Sequence, residues 1–204
     1  MRAREIMMMA VMGGALLGAA HEAAAQEDTP LEATTKQAVT AAIGNDALQL
    51  GYGMHGTPVH NADLDVGFLI DTDRQILGTA ALMFGADFVG VSGLTIKIGP
   101  KAYLGWLQGV GKTQVAAVGG GVSARYEVLP EQGVAVVAHA FFSPSILTFG
   151  VANNVYDFLA GGEFRATSRL TVVAGYRWLK ISLDRQPDDR LLNEVYAGVR
   201  WRLN

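Results

Sequence analysis

The chain has 204 residues, a formal net charge of −3, 25 glycines, no cysteine and a hydrophobic fraction of 50%. That length suits a single domain, the composition is far from that of a disordered chain, and the missing cysteines exclude disulfide frameworks and thiolate metal sites. A slightly acidic balance provides no basic surface for a phosphate backbone, so no nucleic-acid partner is expected.

In chain order, Arg2 and Arg4 precede an apolar run from Ile6 to Ala20, and small residues follow at Ala23 and Ala25. This is the pattern of a secretory signal peptide over residues 1–25, cleaved after Ala25. The run is shorter than the ~20 residues of a spanning helix. Residues 26–46 are mixed and read equally as a periplasmic tail, a short helix or a first strand. From Ala47 the sequence alternates: Leu48, Leu50, Tyr52 and Met54 stand against Gln49, Gly51, Gly53 and His55. Leu64, Val66, Phe68 and Ile70 then alternate with Asp65, Gly67, Leu69 and Asp71. Gln75 to Phe84 is apolar on both sides, which leaves its register weakly specified.

Leu94 to Leu107 is the most regular stretch. Its even positions, Leu94 through Trp106, are apolar, and its odd positions carry Thr95, Lys97, Gly99, Lys101 and Tyr103. Alternate residues of a strand face opposite ways, and strands of soluble proteins are usually ~5–6 residues long. A bilayer takes a tilted strand of ~9–11 residues, so the stretch reads as membrane-spanning. Later strands repeat the pattern over Thr113–Val128, Val134–Phe142, Tyr156–Ala166, Leu170–Trp178 and Glu194–Leu203. Gly133 to Tyr156 has the hydropathy of a spanning helix, but Pro144, Ser143, Ser145 and the Asn153-Asn154 pair oppose one.

In lipid an unpaired backbone group costs several kcal/mol, so alternating strands must close on themselves. The predicted fold is therefore all-β, a closed antiparallel transmembrane β-barrel over residues 47–204, of ten strands with eight as the alternative. Both termini of a bacterial barrel lie in the periplasm, which requires an even count. The tenth strand would come from Thr34–Ile43. The long connections Ser143–Asn153 and Leu183–Leu191 should face outward, opposite the short Thr167-Ser168 turn.

The inward rows collect Lys97, Lys101, Arg125, Glu127, Asp157, Glu163, Arg165, Arg177, Glu194, Arg200 and Arg202. In a bore just wide enough for side chains these charges should pair and plug the lumen; a narrow water-filled conduit is the alternative. Tyr52, Trp106, Tyr126, Tyr156, Tyr176, Trp178 and Trp201 fall on the apolar face and suit lipid-facing aromatic girdles.

The Lys101-Ala102-Tyr103 strand, the glycine-rich Ala117–Tyr126 strand, the segment Phe142-Ser143-Pro144-Ser145-Ile146-Leu147-Thr148-Phe149, Gly175-Tyr176-Arg177 and the closing Glu194–Leu203 strand together resemble the YfaZ family of outer-membrane proteins. The Phe142–Phe149 segment is similar to the family's aromatic-small-Pro-x-x-Leu-Ser-Phe stretch, with Thr148 in place of the serine. The resemblance covers the chain from about Ala47 onward and implies a small outer-membrane barrel with no catalytic residues to carry over. One departure is the C-terminus: outer-membrane strands usually end on an aromatic, whereas this chain ends Trp201-Arg202-Leu203-Asn204.

Other chemistry finds less support. A phosphate-binding loop ending Gly111-Lys112-Thr113 would need glycine at position 106, which is Trp106, and it would have to open a helix. His139 and Ser143 share a row, with Glu127 and Glu163 on nearby strands, so an acyl hydrolase acting on outer-leaflet lipid is a second alternative. His55 and His60 lack metal-ligand spacing, and no cofactor is expected. Asp184, Arg185, Asp188, Asp189 and Arg190 could meet lipopolysaccharide phosphates directly or through divalent cations. The expected partners are outer-membrane lipid, lipopolysaccharide and the barrel-insertion machinery, and the protein is expected to be a monomer.

Overall fold

The computed structural model describes residues 36–57, 62–72, 75–87, 91–109, 111–150, 152–183 and 189–203. The described residues all belong to one compact unit, Thr34–Asn204. The predicted signal peptide and its cleavage site lie outside the described residues.

The strands are β1 (Lys36–Gly44), β2 (Ala47–His55), β3 (Asp63–Asp71), β4 (Ile76–Asp87), β5 (Leu94–Gly109), β6 (Gly111–Leu129), β7 (Val134–Ser143), β8 (Thr148–Gly150), β9 (Ala152–Arg165), β10 (Leu170–Leu183) and β11 (Asp189–Arg202). All pairings are antiparallel. β1 through β7 pair in chain order, β7 pairs β9, then β9, β10 and β11 follow, and β11 returns to β1. Ten strands therefore close a barrel. The short β8 stands outside that ring, bonded to β6 at Val115–Ala117, where β6 runs on past the end of β7. It covers an edge that would otherwise present unpaired N–H and C=O groups.

β1 answers the question that residues 26–46 left open. Lys36–Gly44 is a strand, paired to β2 on one side and β11 on the other, so the barrel starts at Lys36 and not at Ala47. Both ends of the barrel chain, Lys36 and Leu203, come to the same mouth. The ends of β7 and β10, Ser143 and Leu183, lie at the opposite end.

The alternation reads out as sidedness. Phe68, Ile98, Val136, Phe158, Phe164 and Val195 point outward and are exposed, while Lys101, Asp157, Glu163, Arg177 and Glu194 are buried within. Outside, a continuous apolar surface exposes no backbone edge along the ring, as a lipid environment requires.

One irregularity has an identifiable cause. β4 pairs β5 at Ala81↔Lys101 and again at Phe84↔Ile98, but not between, opposite Gly99-Pro100. Proline has no N–H to give to the ladder. The strands close in there, and a Cβ on Gly99 would lie 1.9 Å from the Leu82 carbonyl oxygen. Backbone cannot yield as a side-chain tip does, so Gly99→Ala is expected to destabilise the barrel by about 1–3 kcal/mol. A urea titration read by the gel shift between folded and heat-unfolded forms would measure it.

Candidate functional site

The interior falls into two parts. At the end away from the termini, Leu69, Leu77, Leu107, Val115, Val155, Leu179, Ile181 and Leu192 converge in one apolar cluster, each of these eight at most 2% exposed. The sequence reading expected charge along the inward rows, and at this end the structure differs. A bore filled by side chains that meet in the middle is a dry interior, where leucine fits as well as in a soluble core. Gln75–Phe84 reads as apolar on both sides because Leu77 points into this layer and Met83 packs inward with Ala81 and Phe141, while Ile76, Leu82 and Phe84 point out.

Below this layer lies a buried ionic cluster. The Lys101 ammonium on β5 donates to Asp157 on β9 at 2.7 Å, and Arg177 on β10 donates to the same carboxylate from Nη2 at 3.0 Å and Nε at 3.2 Å. The Tyr103 hydroxyl donates to it at 3.3 Å, and Nε2 of His139 lies 3.8 Å away. Lys101 also sits 4.7 Å from the centre of the Phe141 ring. Arg177 Nη1 continues across the bore to Gln49 Oε1 at 2.9 Å, and Gln49 Nε2 reaches Glu194 at 3.5 Å. Two cations thus share one carboxylate, and Gln49 links Arg177 onward to Glu194, tying β2, β5, β9, β10 and β11 together through the lumen.

A second group lies nearer the termini. Glu163 accepts from Arg200 at 2.6 Å and from Arg125 at 3.3 Å, and Arg125 also donates to Glu127 at 2.7 Å. Arg200 reaches Thr40 Oγ1 at 3.4 Å. Asp63 joins Lys97 and His55, the latter at 2.9 Å. Arg202 donates to the Ser168 carbonyl oxygen at 3.2 Å, and Arg165 lies exposed at the mouth.

The structure therefore gathers Lys101, Asp157 and Arg177 in one cluster, with Glu194 joined to it through Gln49, gathers Arg125, Glu127, Glu163 and Arg200 in another, and leaves Lys97, Arg165 and Arg202 apart from both. Sequence reasoning passed over Asp63, His55, Gln49 and Tyr103 as network members. Asp63 begins its strand and Tyr103 looks like an ordinary aromatic, so only the closed ring shows which charges they face.

Of the aromatic positions, Tyr52, Tyr126 and Trp201 lie toward the terminal mouth, while Trp106, Tyr156 and Trp178 lie toward the far end. Phe142, Tyr156 and Trp178 form a row of tilted rings with centroids 5.1 and 6.1 Å apart. Tyr176 is mid-strand, and its hydroxyl bonds Asn193 of the neighbouring strand.

Ser143 and His139, the residues of the hydrolase alternative, turn to different partners. Ser143 is fully buried, and its hydroxyl donates to the Val118 carbonyl oxygen at 2.7 Å, while His139 turns toward Asp157 and packs edge-on against Phe141. His60 and residues 184–188 of the long loop lie outside the described residues, as do the side chains of Asp189 and Arg190. Among the described residues, no group of three or more His, Asp or Glu could hold a metal ion.

Ten closed strands with an apolar coat and an ionic interior define a transmembrane β-barrel of the outer-membrane type. The family profile described as YfaZ precursor matches residues 17–203, and the chain belongs to that family. Among solved structures, the outer membrane channel DcaP of Acinetobacter baumannii is similar at 10% identity and a TM-score of 0.42, over 80% of this chain and 54% of that one. The chain thus spans about half the length of that channel. A search of curated proteins found no match.

Proposed function

We propose that this protein resides in the bacterial outer membrane as a monomer with a mainly structural or surface role, its lumen plugged, and that it acts without catalysis or a cofactor. The observation that carries this reading is the pair of barriers in series across the bore. The Lys101–Asp157–Arg177 cluster spans it, and above that cluster Leu77, Val155, Leu179 and Ile181 are 0% exposed. Water and ions cross a pore only where a polar path persists. The terminal mouth then faces the periplasm, and lipid, lipopolysaccharide and the insertion machinery are the partners.

Purified barrel in a planar bilayer is expected to give no conductance steps above the lipid background. Steps of defined size would overturn the plugged reading in favour of a narrow channel. Lipid A mass profiles should be the same with and without the protein; a change abolished by His139→Ala would favour the acyl hydrolase.

A further inference from the structure

The lumen is blocked at one end, but it is not full. Between the ionic cluster and the terminal mouth lies a cavity of about 640 Å³. That is within the range of small-molecule sites, ~300–1,000 Å³. It exists because the inner wall of β1–β3 is cut back to Ala38, Thr40, Ala42, Gly51, Gly53 and Gly67. A lumen built only to be filled would carry large side chains there, as it does at the apolar end.

The charge of this cavity opposes that of the chain. The protein as a whole carries −3. The cavity is lined by nine lysines and arginines against four carboxylates, those of Asp63, Asp65, Glu127 and Glu163. Adding Asp157 and Glu194, buried behind Arg177, leaves the balance positive. The deeper cations are paired, and the surplus sits at the mouth. Lys36, Arg165 and Arg169 form no ion pair among the described residues, and Arg202 has only the Ser168 carbonyl. These four come from β1, the end of β9, the β9–β10 turn and β11, which are neighbours around the ring, so they form one continuous arc.

We propose that the cavity is a binding site for a small soluble polyanion, a solute carrying two or more phosphate or carboxylate groups, that enters through the terminal mouth. Walls of low dielectric focus the field of such an arc and raise the local concentration of anions. Guanidinium groups present paired N–H donors that match an oxyanion in two-point contact. The blind floor means that the solute is held and not passed across, which goes beyond a purely structural role.

The test is calorimetric titration of the full barrel, in phosphate-free nonionic detergent, with pyrophosphate as probe and the neutral sugar raffinose as control. Saturable pyrophosphate binding is expected, weakened by added salt and at least about tenfold weaker in Arg165→Gln/Arg169→Gln. Both side chains are exposed and unpaired, so the variant should keep the wild-type heat-induced gel shift. Absence of saturable binding, equal binding of raffinose, or an unchanged affinity in the double variant would overturn the proposal. The titration is repeated in nanodiscs containing phosphatidylglycerol, where binding should persist. Its loss there would mean that lipid headgroup phosphates occupy the arc, and would overturn the soluble ligand.

Discussion

Asp157→Ala is expected to destabilise the barrel by about 3–5 kcal/mol, a larger loss than any single apolar truncation at its surface would cause. Asp157 is 1% exposed and accepts from Lys101, Arg177 and Tyr103. Removing it leaves a buried ammonium and a buried guanidinium facing one another, each without its counter-charge. The penalty comes from these orphaned cations more than from the lost attraction, because the pair's Coulomb gain is largely offset by the desolvation it required. Replacing all three groups together, as in Lys101→Met/Asp157→Leu/Arg177→Met, should therefore recover most of the stability. Urea midpoints of the two variants, followed by tryptophan fluorescence of refolded barrel, test the argument. A single variant as stable as the parent would show that the cluster does not hold the bore together.

Ile98→Arg should cost about 2–4 kcal/mol when folding is measured into lipid vesicles. Ile98 lies within β5, between Phe84 of β4 and Val122 of β6, and is 64% exposed on the outer face. An arginine there must hold its charge in hydrocarbon or distort the bilayer to reach water. Ser123→Arg, at the next position along β6 but facing the cavity, places the same charge in a polar lumen and should cost much less. Equal costs for the two substitutions would contradict the assignment of inside and outside.

The rows of Leu94–Trp106 and of the later strands could be read without coordinates, because a strand's side chains alternate strictly and lipid penalises every ionised group on its side. Lys101, Asp157 and Arg177 were placed inside on that ground alone, as were Arg125, Glu163 and Arg200. β1 could not be settled the same way. Lys36–Gly44 carries three alanines, and its outward row of Gln37, Val39, Ala41 and Ile43 contrasts weakly with Ala38, Thr40 and Ala42.

The sequence by itself determined which face of the strongly alternating strands meets lipid, since that depends on residue type at a period of two and on nothing farther away. Partnership inside the bore was decided only by the tertiary structure. Closure brings β5 to β9 and β2 to β10, so Lys101 finds Asp157 and Arg177 finds Gln49 across a gap that no local spacing encodes. The same closure packs leucines into a dry layer at one end and leaves a basic hollow at the other. An inward leucine and an inward arginine obey one alternation rule, and only the width of the ring and the residues facing them across it decide whether they seal or stay open.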